Sequence, residues 1–462
     1  MAITGTHQVM RKELDRAREL LRRAQELASG VVARGAIISV MLAGFGAIIA
    51  YASQVFISRS LGADQFGIYA YVLGWMGFVR VIVSLSLEVA AVRYVSKYFA
   101  DGDWSRVADF LRVGRLAIIA AALIASVGCA LAIHLNRSAL PAHLPTALLL
   151  GCVLLLPTSL LTFEAAALQG LRLVYAPRIP SAFVRPLVII AVLLFAITSM
   201  GWHGTAELAL IANGIGVVVA TVISYGMMRS RMPPGTRASS EPALRKEWFY
   251  YCSINLGQGI LYMILSQQMD VVFVGSLVGT TNAGYYLVAS QLVSIAGLGV
   301  VAVNQFVAPY LAEHEIGPQN KNLSTLLRRV VLLNALMALP LIGLLVVTGT
   351  YLLAMFGATF VAAYPAMCIL LIGTVVNTLW GALWGDLLTM TGLHKEASVV
   401  VIIAAALNVC FTLYLTPRYG LVGAASATVA ATLARSFMVA YLVHKKFGFW
   451  PWTLWTWRRQ PA

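Results

Sequence analysis

Charge is what this chain has least of. Only 11% of its 462 residues are Asp, Glu, Lys or Arg, against 60% hydrophobic, and the mean hydropathy is +0.82. A water-soluble domain is nearer a quarter charged, so the composition excludes one. No polar stretch is long enough to fold as a separate catalytic domain. The five cysteines (Cys129, Cys152, Cys252, Cys368 and Cys410) lie in apolar segments and form no CxxC pair. That excludes a disulfide framework or a zinc site and leaves them as small packing residues. Seven histidines sit in loops and termini without HxxH or HxxxH spacing, so no metal or other cofactor is expected. The net charge of +15 would suit nucleic acid, but the bases flank the apolar runs, and nucleic acid is excluded as a partner.

What is present is a series of apolar runs. A helix needs roughly 20 apolar residues to cross a hydrocarbon core about 30 Å thick. Candidate spans fall at 34–57, 67–92, 111–134, 146–168, 181–201, 205–228, 248–270, 284–310, 329–356, 360–385, 396–416 and 421–443. Alternate loops differ sharply in Lys and Arg: 28 on the side of both termini, only Arg59, Arg137 and Arg418 on the other, with Arg80 and Arg435 inside spans. This bias places both termini in the cytoplasm and supports an even number of spans. The expected fold is an all-α, multi-pass protein of a bacterial cytoplasmic (inner) membrane. No cleavable signal peptide is expected, because residues 7–29 are charged and amphipathic. That segment, with Leu14, Leu21 and Ala28 at heptad spacing, reads as a helix on the anionic membrane surface. At the other end Trp450, Trp452, Trp455 and Trp457 beside Arg458 and Arg459 read as an interfacial anchor.

The chain also repeats itself. A shift of 217 positions aligns FISRSLGADQFGIYAY (56–71) with FVGSLVGTTNAGYYLV (273–288), pairing Phe56 with Phe273, Gly62 with Gly279, Gly67 with Gly284 and Tyr69 with Tyr286. The register holds without a gap to Arg112 and Arg329, and a second match pairs Gly170 with Gly392. Two six-span halves follow: an amphipathic segment (1–30), an N-lobe (31–228), a Pro/Ser/Arg-rich linker (229–247), a C-lobe (248–443) and a tail (444–462). An even number of spans returns the chain to its starting side, so the halves are parallel, about a pseudo-twofold along the membrane normal with a central cavity between them. Gly62 and Gly279 are expected in tight turns with φ > 0.

The stretches QVFISRSLGADQFGIYAY and RYVSKYFADGDWSRVADFLR resemble the first two spans of bacterial O-antigen-type polysaccharide flippases. SQQMDVVFVGSLVGTTNAGYYLVASQL and TMTGLHKEASVVVIIAAALNVCFTLYLTPRYGLVGAASAT, with Asn408, Pro417, Tyr419, Gly420 and Gly423, resemble their later spans. The likeness covers about 34–445. It implies the multidrug/oligosaccharidyl-lipid/polysaccharide exporter fold and a transporter, not an enzyme. It also implies a cargo of polyprenyl-pyrophosphate-linked sugars for O-antigen, capsule or exopolysaccharide, with a polysaccharide polymerase, a chain-length regulator and membrane lipids as partners.

Polar groups in hydrocarbon need a reason. Arg80 and Arg435 each stand about halfway along a span. Guanidinium forks bind pyrophosphate oxygens in pairs, which makes these two the expected anion site. Stripes at helical spacing are expected to line the cavity: Gly77, Arg80, Ser84 and Glu88; Asn255, Gln258, Tyr262 and Ser266; Gln291, Ser294, Asn304 and Gln305. The competing reading pairs Arg80 with Glu88, and Arg435 with Glu164 or Asp386. Asp270 is a candidate coupling site for H+ or Na+, or an ordinary helix-end acid. Glu164 and Arg185 are expected to snorkel near the cytoplasmic ends. A multidrug/cation antiporter of the same fold is the rival, but it would be expected to bury several acids where the mid-span charges here are basic.

Overall fold

The computed structural model describes residues 3–447 apart from 139, 142–143, 174, 203, 237–241, 314–320, 382–383 and 385–393. The side chains of 3–41, 43, 242–243, 298–299, 301–326 and 394–395 also lie outside the description. The interfacial tail, Asp386 and the helical face proposed for 7–29 therefore fall beyond it, although the backbone is helical from Ile3. The described residues are helical with no strand, and cutting the helices at their breaks gives twelve crossings.

Helix Ile3–Val83 would be about 120 Å long if straight. It divides at Gly62 (φ 75°, ψ 171°) into spans 1 and 2. Helix His394–Phe447 divides likewise at Gly420 (φ 59°) into spans 11 and 12. Trp104–Leu135, Leu144–Gly170, Pro180–Met200 and Ala206–Arg231 are spans 3 to 6. Thr280–Glu313, Lys321–Ala354 and Ala358–Gly381 are spans 8 to 10. All five cysteines are free thiols. Residues 232–236 of the linker share their face with the 101–103 loop and residues 171–173 and 175–179; the turns at Gly62, Gly279 and Gly420 occupy the opposite, turn face.

Two spans expected to be continuous are broken. Span 7 consists of Leu244–Ile264 and Gln267–Val278, bent by 55°. Neither Pro nor Gly sits at the bend. The amide of Ser266 bonds to Met263 O (3.0 Å), and Ser266 itself is extended (φ −82°, ψ 148°). Span 2 is interrupted where Leu85 and Ser86 both take left-handed φ (49° and 56°) before helix Leu87–Ala100. Each such non-glycine residue costs about 1–3 kcal/mol and persists only where its surroundings fix it. Gly259 of span 7 supplies part of those surroundings, since a Cβ there would lie 3.5 Å from Val81 and 3.8 Å from Ser86 Oγ.

The break lets span 7 serve both halves. On the linker face its first segment joins a buried cluster of Tyr94, Tyr98, Phe110 and Phe163 through Trp248 and Cys252. Trp248 Nε1 donates to Tyr98 Oη (3.0 Å), Tyr94 Oη donates to Glu247 (3.1 Å), and Arg245 pairs with Asp109 (2.8 Å). Its second segment enters the main core with Phe66, Tyr69 and Val72 of span 2 and Tyr286 and Val293 of span 8.

On the turn face the halves meet at repeat-related residues. Thr281 donates to Asp64 (2.7 Å), and a Cβ on Gly284 would lie 3.0 Å from Gly67 Cα. Both pairs differ by 217 positions. Equivalent residues touch only on the axis that relates them, so the pseudo-twofold passes between spans 2 and 8 here. Around it Tyr71 Oη bonds to Ser276 Oγ (3.0 Å), Ser58 donates to Phe356 O (2.7 Å), and Arg59 donates to Met355 O (2.6 Å). The turn face is thereby closed.

Candidate functional site

Arg80 stands midway between the turn at Gly62 and the Asp101–Gly102 turn. Its Nη1 lies 3.3 Å from Glu88 Oε2 and 3.5 Å from Thr162 Oγ1. The pair spans the break at Leu85–Ser86, and its side chains remain 26% and 30% exposed. The ion pair and a partly open guanidinium therefore coexist. Ser84 is buried and returns its hydroxyl to Val81 O (3.0 Å).

Arg185 belongs beside Arg80 and is a correction to its expected snorkelling. It opens helix Arg185–Met200 after a π-turn, donates to the buried Asn213 (3.0 Å), and lies close enough to Arg80 for the two positive charges to interact. Sequence reasoning missed it because it set Arg185 at the cytoplasmic end of span 5.

Arg435 donates to Asn377 Oδ1 (2.6 Å), on the π-turn Asn377–Gly381 that ends span 10. Glu164 is not its partner. That acid is 2% exposed and takes a two-pronged grip from Arg115 (Nε 2.6 Å, Nη2 3.0 Å), whose guanidinium also lies 4.7 Å over Tyr225. Snorkelling is thus corrected for Glu164 too, because a carboxylate so deeply buried is held by its cation. Arg115→Met, which strands this carboxylate, will destabilise the protein by about 3–5 kcal/mol. Arg115→Met with Glu164→Leu will recover most of the loss. Thermal unfolding followed by tryptophan fluorescence checks this, and equal melting points for single and double variants would refute it.

Of the span 7 stripe, Asn255 bonds to Tyr251 O (2.8 Å) and Ser266 to Met263 O (2.6 Å), while Gln258 and Tyr262 are exposed. In span 8, Gln291 is half-buried and Ser294 donates to Gln267 Oε1 (3.2 Å) of span 7. The side chains of Asn304 and Gln305 lie outside the described residues.

Asp270 is wholly buried in the second segment of span 7, about 12 Å from its end at Val278. Its Oδ2 accepts from Thr428 (2.8 Å, span 12) and from Tyr286 (3.1 Å, span 8). Asn408 of span 11 adjoins it and accepts from Thr412 (2.9 Å). Oδ1 of Asp270 and Nδ2 of Asn408 have no hydrogen-bond partner among the described residues. A buried carboxylate oxygen left without a donor is costly. Four spans converge here, so the site reports on the packing of the second half.

Twelve crossings, parallel halves and polar groups at mid-depth define a membrane transporter of the multidrug/oligosaccharidyl-lipid/polysaccharide exporter class. A multidrug resistance transporter of that superfamily, inward-facing, superposes with a TM-score of 0.67 (12% identity, 90% of this chain and 96% of that one). The lipid II flippase MurJ, inward closed, gives 0.65 (14% identity, 89% of each chain). Residues 32–315 match the model of the polysaccharide biosynthesis protein family, and the chain belongs to that family. It is similar to the probable low-salt glycan biosynthesis flippase Agl15 of Haloferax volcanii, at 22% identity over 419 residues, 87% of this chain and 80% of that protein. An uncharacterized membrane protein of Methanocaldococcus jannaschii matches at 23% over 406 residues, 82% and 78% of the two chains. The family and the named flippase and transporter relatives point to transport rather than to catalysis.

Proposed function

We propose that this protein moves a polyprenyl-pyrophosphate-linked oligosaccharide from the cytoplasmic to the outer leaflet by alternating access of its two halves, with the linker face in the cytoplasm. The observation that carries the reading is the partly open guanidinium of Arg80 at mid-depth, with Arg185 adding a second positive charge nearby. A pyrophosphate is a polyanion, and a water-excluded path strengthens its attraction to such groups. Arg435 offers the same chemistry from the other half. The turn-face closure at Gly67 and Gly284 supports the alternation, because a close glycine crossing holds two rigid halves together without interlocking side chains.

The sugar-facing surface is assigned to Glu88, Asn255, Gln258, Tyr262, Gln291 and Ser294, with Ser84, Ser266, Asn304 and Gln305 along the same stripes. Asp270 is assigned the coupling cation, H+ or Na+. Asp270→Asn keeps the shape and removes the charge, and should make transport at least about tenfold slower while abolishing its response to an imposed ion gradient. Flux measured with and without Na+ and pH gradients checks this, and an undiminished gradient response would remove Asp270 from the coupling role. Asp270, a buried acid that meets no cation among the described residues, is also what favours the second reading, a cation-driven drug exporter. Expression in a strain lacking its own glycan-lipid flippase separates the two. Restored surface polysaccharide supports the proposal; drug resistance with no restored glycan overturns it.

A further inference from the structure

Between spans 3 and 6, on the linker face and beside the cluster that the first segment of span 7 joins, lies a cleft of about 150 Å³ lined by Arg112, Arg115, Tyr225, Arg229 and Thr236. We propose that it is a binding site for the phosphate of an anionic phospholipid in the leaflet on that face.

Its height fits that ligand. Arg112 lies 23 residues from Leu135, and Arg229 lies 23 residues from Ala206, each about 35 Å from the turn-face end of its helix. Hydrocarbon accounts for about 30 Å of that, which sets both guanidinium groups at headgroup depth. Tyr225 and Arg115 lie one turn deeper, where an amphipathic ring meets the ester region. The charge is uncompensated there. Arg115 is held by Glu164 and the adjacent Asp109 by Arg245, whereas Arg112 and Arg229 are exposed and meet no acid among the described residues. Two fork-shaped donors converging on one opening suit a phosphodiester, which each can grip through two oxygens. The cleft is too small for a glycan headgroup, and beside it the exposed apolar faces of Leu116, Val218 and Val222 leave an acyl chain in ordinary lipid contact.

Native mass spectrometry of the full-length protein, delipidated and then titrated with phosphatidylglycerol or phosphatidylcholine, tests this. Retained phosphatidylglycerol should exceed phosphatidylcholine. Arg112→Gln with Arg229→Gln should weaken its retention about thirtyfold, the effect of two interfacial arginines. Neither residue has an ion-pair or side-chain hydrogen-bond partner to lose among the described residues, so the melting temperature should hold, and Arg112→Lys with Arg229→Lys should retain the lipid in part. Equal retention of the two lipids overturns the proposal. So does a double Gln variant that binds phosphatidylglycerol as the wild type does, or one that loses only an added polyprenyl diphosphate.

Discussion

Arg80→Ala is expected to lower glycan transport roughly 10- to 150-fold while leaving the amount of protein in the membrane unchanged. The range is what removal of one hydrogen bond to a charged group, about 1.5–3 kcal/mol, gives when felt by cargo. Stability is spared because the pair with Glu88 is long, 3.3 Å, and both side chains are partly exposed rather than sealed in the core, and such loose ion pairs contribute about 0–1 kcal/mol. Arg80→Lys should recover only part of the rate, since an ammonium keeps the charge but loses the planar fork. Transport and immunoblotting on the same membranes distinguish the two roles of this residue. If the protein disappears together with its activity, the Glu88 pair is structural and Arg80 leaves the anion site.

Gly67→Val is expected to have the second large effect, by preventing the turn face from closing. A Cβ at this position would lie 2.7 Å from the Thr280 carbonyl carbon and from Thr281 Cα. These are backbone atoms, which cannot rotate away as a side chain does, so overpacking here costs at least about 1–3 kcal/mol in the closed state. The open state does not bear that cost, and the population shifts towards it. Spin labels at Asp64→Cys and Thr281→Cys, in a chain whose five native cysteines are replaced, read the separation directly. A short, narrow distance distribution should become long and broad, with transport nearly lost. An unchanged distribution in the valine variant would show that this crossing does not hold the halves together.

Much of the fold was legible because hydrophobic length and repeated glycines speak directly to geometry. The twelve crossings follow from apolar runs, and the left-handed turns at Gly62 and Gly279 follow from a duplicated pattern that only glycine fills without strain. The bend of span 7 was not legible. Leu265 and Ser266 are ordinary helix residues, and the break depends on packing against both halves at once. Leu85 and Ser86 carry left-handed backbone for the same reason, against their own preference. Partners were harder to read than positions. Arg115 and Glu164 are 49 residues apart, and nothing in either segment marks the match. Around Asp270, Thr428 satisfies itself on Ala424 O (3.1 Å), as a lone threonine in any helix does, so only the fold shows that it also serves the carboxylate. For Arg80 the anion site and the ion pair were posed as alternatives, whereas the break in span 2 lets one guanidinium meet Glu88 and stay partly open.

The central claim is that mid-depth arginines let this protein carry a pyrophosphate-linked glycan across the bilayer. The most direct measurement follows a fluorescent polyprenyl-diphosphate oligosaccharide in proteoliposomes holding the purified full chain. An enzyme added outside modifies only outward-facing sugar. The account predicts time-dependent transfer that is lost in Arg80→Ala vesicles containing as much folded protein. Ethidium efflux from the same vesicles, with the glycan staying on its original side, would contradict it.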